Sequence, residues 1–132
     1  MVDNSTLSAE QRTQELARIR AGMIRQDYYL MHRRPAAPER KAAVLLEHFQ
    51  WLVAMEKAGH ILMTGALFDQ QGRQGEGLTL LRAQSWQDAQ RLAATDPFVM
   101  TGAVSFAIER WLLGAGHISL SVDLSDQRVT LS

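Results

Sequence analysis

Residues 60–84, HILMTGALFDQQGRQGEGLTLLRAQ, place two short aliphatic runs on either side of a polar segment with three glycines. Residues 60–68 read as a strand, QQGRQGEG (70–77) as a hairpin loop and GLTLLRAQ (77–84) as a second strand, because short apolar runs punctuated by glycine pair more readily than they coil. Upstream, PERKAAVLLEHFQWLVAMEKAG (38–59) puts Pro and Glu in a first turn, good helix formers along its length and Gly59 just past the end. That pattern predicts a long helix over 39–58. Before it, DYYLMHRR (27–34) is rich in β-forming aromatics and ends where Pro35 and Pro38 bar further pairing. Downstream, Ser85 and Asp88 have capping-box spacing, and Trp86, Ala89, Leu92 and Ala93 share one face, so 85–95 reads as a short helix. Val104, Phe106 and Ile108 then alternate with Ser105, Ala107 and Glu109 in a last core strand, 103–114.

The element order is β-α-β-β-α-β. It predicts an α+β, ferredoxin-like protomer with a four-stranded antiparallel sheet and helices on one face. The other sheet face also carries large aliphatics, which a monomer would leave in water, so a homodimer packed through that face is expected. Outside this domain, taken as 26–114, residues 1–25 form an N-terminal helical extension (helix 8–24), and 115–132 form a tail that is either an added strand or loosely laid chain.

Composition narrows the function. With 132 residues and 46% hydrophobic content the chain supports one core. Lys plus Arg and Asp plus Glu stand at 14 each, so no global charge draws in nucleic acid or a lipid surface. There is no cysteine, which removes thiolate chemistry and fits a reducing cytoplasm. No apolar run is long enough to span a bilayer, and the polar N-terminus lacks a secretory h-region.

Helix lengths suggest where chemistry gathers. At ~1.5 Å per residue the long helix spans ~30 Å and the short one ~15 Å. The short helix, ending at Asp96, should therefore stop beside the middle of the long one, at His48. His48 lies on an apolar stripe with Val44, Leu45, Trp51 and Leu52 and needs a polar partner there. An Asp96 carboxylate would fix its tautomer and leave the other ring nitrogen as a general base near neutral pH. A helical His with a distant Asp is more often a structural hydrogen bond than a catalytic pair. Pro97, after the Asp, biases residue 96 toward extended backbone.

The run His48, Trp51, Leu52, Gly59, then GALFDQQGRQGEG, WQDAQRLAATDPFVMTG and FAIERW, resembles the YciI-like family, also called the DGPF or YCII-related domain. The resemblance covers about residues 27–113. It implies a dimeric α+β barrel of ferredoxin-like protomers, with a cleft on each and a His/Asp active centre that falls on His48 and Asp96. Better-understood relatives in that fold, a dehydrochlorinase of a chlorinated hydroxyhydroquinone and, more distantly, muconolactone isomerase, move protons on small cyclic substrates without a cofactor. A lyase- or isomerase-like enzyme acting on a small cyclic or aromatic acid is one expectation. A non-catalytic binding or accessory dimer, with the His/Asp pair structural, is the other.

Candidate substrate-binding residues are Tyr28, Arg33, Met63, Gly65 and Phe98. Arg33, Arg34, Arg40 and Lys41 make a local basic patch, read as a solvated loop or as a binding point for a carboxylate or phenolate. No metal and no cofactor are expected. His32, His48, His60 and His117 lack the i, i+4 spacing of a zinc helix, and the glycines of GRQGEG precede a strand rather than a phosphate-binding helix. His60 and His117 read as solvent-facing turn residues, and Trp51, Trp86 and Trp111 as core or interface anchors.

Overall fold

A computed structural model describes residues 2–132. In chain order the elements are α1 (Ala9–Gly22), β1 (Gln26–Pro35), two 3₁₀ turns (Pro38–Arg40 and Ala42–Val44), α2 (Leu45–Lys57), β2 (Ile61–Phe68), β3 (Gln74–Leu81), α3 (Trp86–Ala93), α4 (Pro97–Met100), β4 (Val104–Leu113), β5 (Leu120–Asp123) and β6 (Arg128–Leu131). The chain divides into two units. One is Asp27–Leu112; the other joins the N-terminal residues up to Gln26 with Leu113–Ser132.

Within Asp27–Leu112 the sheet order is β2-β3-β1-β4, with β3 antiparallel to both of its neighbours. This is the expected split βαβ plan. Alternation sorts the side chains. On the helix side, Met31 of β1 stands opposite Thr79 of β3, which stands opposite Thr64 of β2; one step along, Arg33 faces Gly77 and Gly77 faces Ala66. The core lies on this side, where Met31 and Leu81 are fully buried and pack with Met55, Ile61, Leu92 and Ile108. Phe98, Ala103 and Val104 form a second, smaller cluster.

Three expectations are corrected. The long helix is regular only from Leu45. Residues 38–44 hold two 3₁₀ turns, neither with a side-chain cap, and Val44 departs from helical geometry (φ −124°, ψ 18°), which separates them from the regular helix. The glycine-rich segment is only partly a loop. Asp69 folds back to accept from the backbone N–H groups of Gln71 and Arg73, and Gly72 takes the left-handed conformation (φ 77°), so the turn is complete by Arg73. Gly75 and Gly77 thus belong to β3. Finally, Pro97 does not merely stop α3; it occupies the first position of α4.

In the other unit, α1 carries the full capping box between Ser8 and Gln11. The tail forms the hairpin β5–β6, whose strands are exposed along their whole length. Among the described residues, no helix is long and apolar enough to cross a membrane.

Leu81→Ala should cost about 2–5 kcal/mol in urea unfolding, because the cavity it leaves lies among side chains that cannot collapse into it. Leu131→Ala, in the exposed hairpin, should change stability by no more than about 0.5 kcal/mol.

Candidate active site

Asp96 precedes a proline, and its backbone is accordingly extended (φ −62°, ψ 124°). The turn out of the α3 line drives the side chain inward, where it is fully buried. Three donors converge on it. Oδ1 accepts from the backbone N–H of Phe98 at 2.9 Å and from His48 Nδ1 at 2.7 Å; Oδ2 accepts from Arg33 Nε at 2.6 Å. Burial by itself pushes the Asp96 carboxyl up. The hydrogen bond from His48, the charge and hydrogen bond of Arg33 and the Phe98 N–H outweigh it and hold the carboxyl below the usual carboxylate range.

An ionised carboxylate only accepts, so His48 Nδ1 carries the hydrogen and, in the neutral ring, the lone pair sits on Nε2. Among the described residues Nε2 has no protein partner. The imidazole plane is held as firmly as its tautomer: the ring stacks on Phe98 with centroids 3.8 Å apart and planes 8° from parallel. Trp51 flanks it at 6.2 Å, with its indole N–H donating to Thr95 Oγ1 at 2.8 Å. His48 lies in the first turn of α2 rather than at mid-helix, since regular helix starts only at Leu45.

Arg33 extends the network into the sheet. Its Nη1 donates to Thr79 Oγ1 at 2.7 Å, the Thr79 and Thr64 hydroxyls are 2.7 Å apart, and Thr64 donates to the Leu78 carbonyl at 3.0 Å. Those two ends orient the chain from Arg33 through Thr79 to Thr64 and leave Thr64 as an acceptor. Arg33 Nη2 is buried and unpartnered among the described residues.

A cavity of about 230 Å³ opens against this network, walled by His48, Phe98, Arg33, Lys41, Thr64 and Glu76. Gly65, Gly75 and Gly77 also line it, and Gly75 and Gly77, in phase with Thr79 on the helix side of β3, put no side chain into the space. A Cβ on Gly77 would sit 3.4 Å from the Gly65 carbonyl and 3.8 Å from Arg33 Nη1.

The structure thus brings His48, Asp96, Arg33, Phe98 and Gly65 together. Tyr28 and Met63 are not cavity walls. Tyr28 is five residues from Arg33 along β1, on the opposite sheet face, with the Arg82 guanidinium 5.9 Å from its ring. Met63 lines a hollow on that same outer face, beside Leu78 and Trp111. Nor is the basic patch a solvated loop at Arg33, which is a buried strand residue in phase with Met31. Thr79 and Thr64 escaped sequence reading, although Thr79 stands in phase with buried Leu81 and an Arg in phase with core residues implies a buried counter-charge. Of the remaining histidines, His32 lies 3.3 Å from Glu76 on the outer face, His60 is half-buried just ahead of β2, and exposed His117 meets the Ser119 hydroxyl at 3.0 Å. Trp86 meets Tyr29 edge-on at 5.9 Å.

The YCII-related domain model matches residues 28–112, which includes every member of this network. The chain belongs to the YCII-related domain family. A solved structure of similar fold is the 5-chloro-2-hydroxyhydroquinone dehydrochlorinase from Burkholderia phenoliruptrix AC1100 in complex with 2,5-dihydroxybenzoquinone, with a TM-score of 0.51 and 17% identity over 63% of this chain and 92% of that one. No curated protein matches the sequence. The part of the chain inside the YCII-related match carries the whole polar network; α1 and the β5–β6 hairpin lie outside it.

Replacing Asp96 by Asn should cost about 3–5 kcal/mol near neutral pH, since the Arg33 charge is left buried without its partner. Because the Asp96 carboxyl titrates lower folded than unfolded, its contribution is complete above about pH 4 and is lost as pH falls through the folded value. The gap between wild type and Asp96→Asn in urea unfolding should therefore narrow steadily below about pH 4; a gap that stays constant would mean that the carboxyl is not held low.

Proposed function

We propose that this YCII-related protein is a cofactor-free enzyme in which His48, oriented by Asp96, transfers a proton on a small cyclic or aromatic acid or phenol. The observation that carries the reading is a tautomer-locked imidazole whose unpartnered nitrogen belongs to a ring walling a cavity. In elimination, Nε2 takes a proton from a ring carbon or hydroxyl while the electron pair expels a leaving group; in isomerisation, the same proton returns to another ring atom. Asp96 stabilises the imidazolium formed in either case. The dehydrochlorinase of similar fold belongs by name to the elimination class, which makes a halogenated or hydroxylated ring a reasonable first substrate to try. The cavity is smaller than the ~300–1,000 Å³ of ordinary drug-sized pockets, and that suits a single ring.

The working unit in this reading is a homodimer joined through the outer sheet face. Met63, Leu67 and Trp111 are exposed there around an apolar hollow floored by Leu30, Leu78 and Leu80. That is the surface a second copy would cover.

His48→Gln is the direct test, because an amide can still donate to Asp96 but cannot act as a base. The variant should keep its melting temperature and oligomeric state, yet lose about 10²–10⁴-fold in the rate at which ring acids or hydroxyquinols gain deuterium from heavy water. Failure to fold would assign the pair a structural role and favour an accessory binding dimer. For the assembly, Leu78→Glu should shift sedimentation equilibrium toward monomer; an unchanged dimer would place the interface elsewhere.

A further inference from the structure

The charges around the His48 cavity do not balance. Arg33 is matched by Asp96 at 2.6 Å, and its Nη1 is taken by Thr79. Glu76 faces His32 at 3.3 Å and Arg34 at 3.6 Å. Arg40 donates to the Thr101 carbonyl at 3.0 Å. Lys41, like Arg40, has no carboxylate within ion-pair distance among the described residues, and its ammonium makes a single long hydrogen bond, 3.3 Å, to the Gly75 carbonyl; unlike Arg40, it lines the cavity. Of the four basic residues in HRRPAAPERK, Lys41 is the one that lines the cavity with its charge unmatched. It also stands over the Phe98 ring, 5.6 Å from the centroid, on whose plane His48 stacks. The base and the free cation are thus registered on one aromatic plate.

We propose that Lys41 is the anion-binding residue of this cavity and that the ligand it selects is a single-ring monoanion, its carboxylate on the Lys41 ammonium and its ring turned toward His48. The inference rests on reading the cavity as a substrate site. A partly buried ammonium with two unused N–H donors gains a charge-assisted bond from a carboxylate that a neutral amide cannot replace. The α2 backbone favours the same sign: regular helix begins at Leu45, another cavity wall, with no side-chain cap at Val44. Buried Arg33 Nη2 is a further unpartnered donor on the same guanidinium that walls the cavity. Ring size follows from the volume, and charge selectivity from the one cavity-lining cation that has no carboxylate partner among the described residues.

The test is binding, read without turnover. Benzoate and 2,5-dihydroxybenzoate, with their neutral amides as controls, are titrated at up to millimolar concentration into isotope-labelled full-length protein and followed by amide chemical-shift changes. In wild type the carboxylates should bind more tightly than the amides and shift resonances around Lys41 and His48. Lys41→Met should weaken the carboxylates about ten- to hundredfold and leave the amides unchanged, while Lys41→Arg should restore most of the preference. Equal binding of acid and amide by wild type, an unaltered carboxylate affinity in Lys41→Met, or no carboxylate binding at all would overturn the inference. If Lys41→Met binds normally while His48→Gln still abolishes deuterium exchange, proton transfer stands without the anion site. If carboxylates need Lys41 but wild type exchanges no deuterium, the anion site stands and catalysis falls.

Discussion

A buried carboxylate ties the domain together. Asp96 accepts from α2 through His48, from β1 through Arg33 and from the first turn of α4 through the Phe98 N–H, and Arg33 carries the connection across β3 and β2 by way of Thr79 and Thr64. An unpaired charge at this depth would be prohibitive, so the elements are obliged to bring their donors to it. The constraint works in the other direction as well. A charged pair of this kind is often replaceable by apolar side chains of the same volume with no loss of stability, so the stability of the fold does not by itself require it.

Orientation of the imidazole has a second source in packing. Phe98 supplies both the N–H that holds Asp96 and the ring on which His48 lies, so a single short helix places the Asp96 carboxylate and fixes the plane of the imidazole. The empty space in front of that ring comes from the opposite wall, where Gly75 and Gly77 of β3 withhold side chains from the helix-side surface. A strand with Val or Thr at 75 and 77 would pair more strongly and would fill the cavity.

Charge is distributed with similar economy around the site. Arg33 and Asp96 cancel, Glu76 is turned to the outer face by its register on β3, and among the described residues Lys41 is the cavity-lining charge left without a carboxylate partner. Lys41 lies between the two 3₁₀ turns that precede α2, one turn ahead of Leu45, and stands over the Phe98 ring.

Hydrophobic periodicity, glycine punctuation and caps were sufficient, within the chain itself, for the βαββαβ order, the alternation of Val104, Phe106 and Ile108, and the presence of an Asp-Pro turn after the short helix. These are local properties, set by side-chain spacing and backbone preference. The pairing of His48 with Asp96 was also within reach, through helix lengths and family resemblance, although the helix proved to be 13 residues long and His48 to lie in its first turn. Tertiary structure alone decided the rest: that Arg33 turns inward to neutralise Asp96, that Thr79 and Thr64 relay it, that Gly75 is strand rather than loop, that Tyr28 and Met63 face away, and that Lys41 has no carboxylate partner among the described residues. Each depends on which residues from distant segments share one sheet face, and that is set by strand register, to which short-range sequence preference is blind.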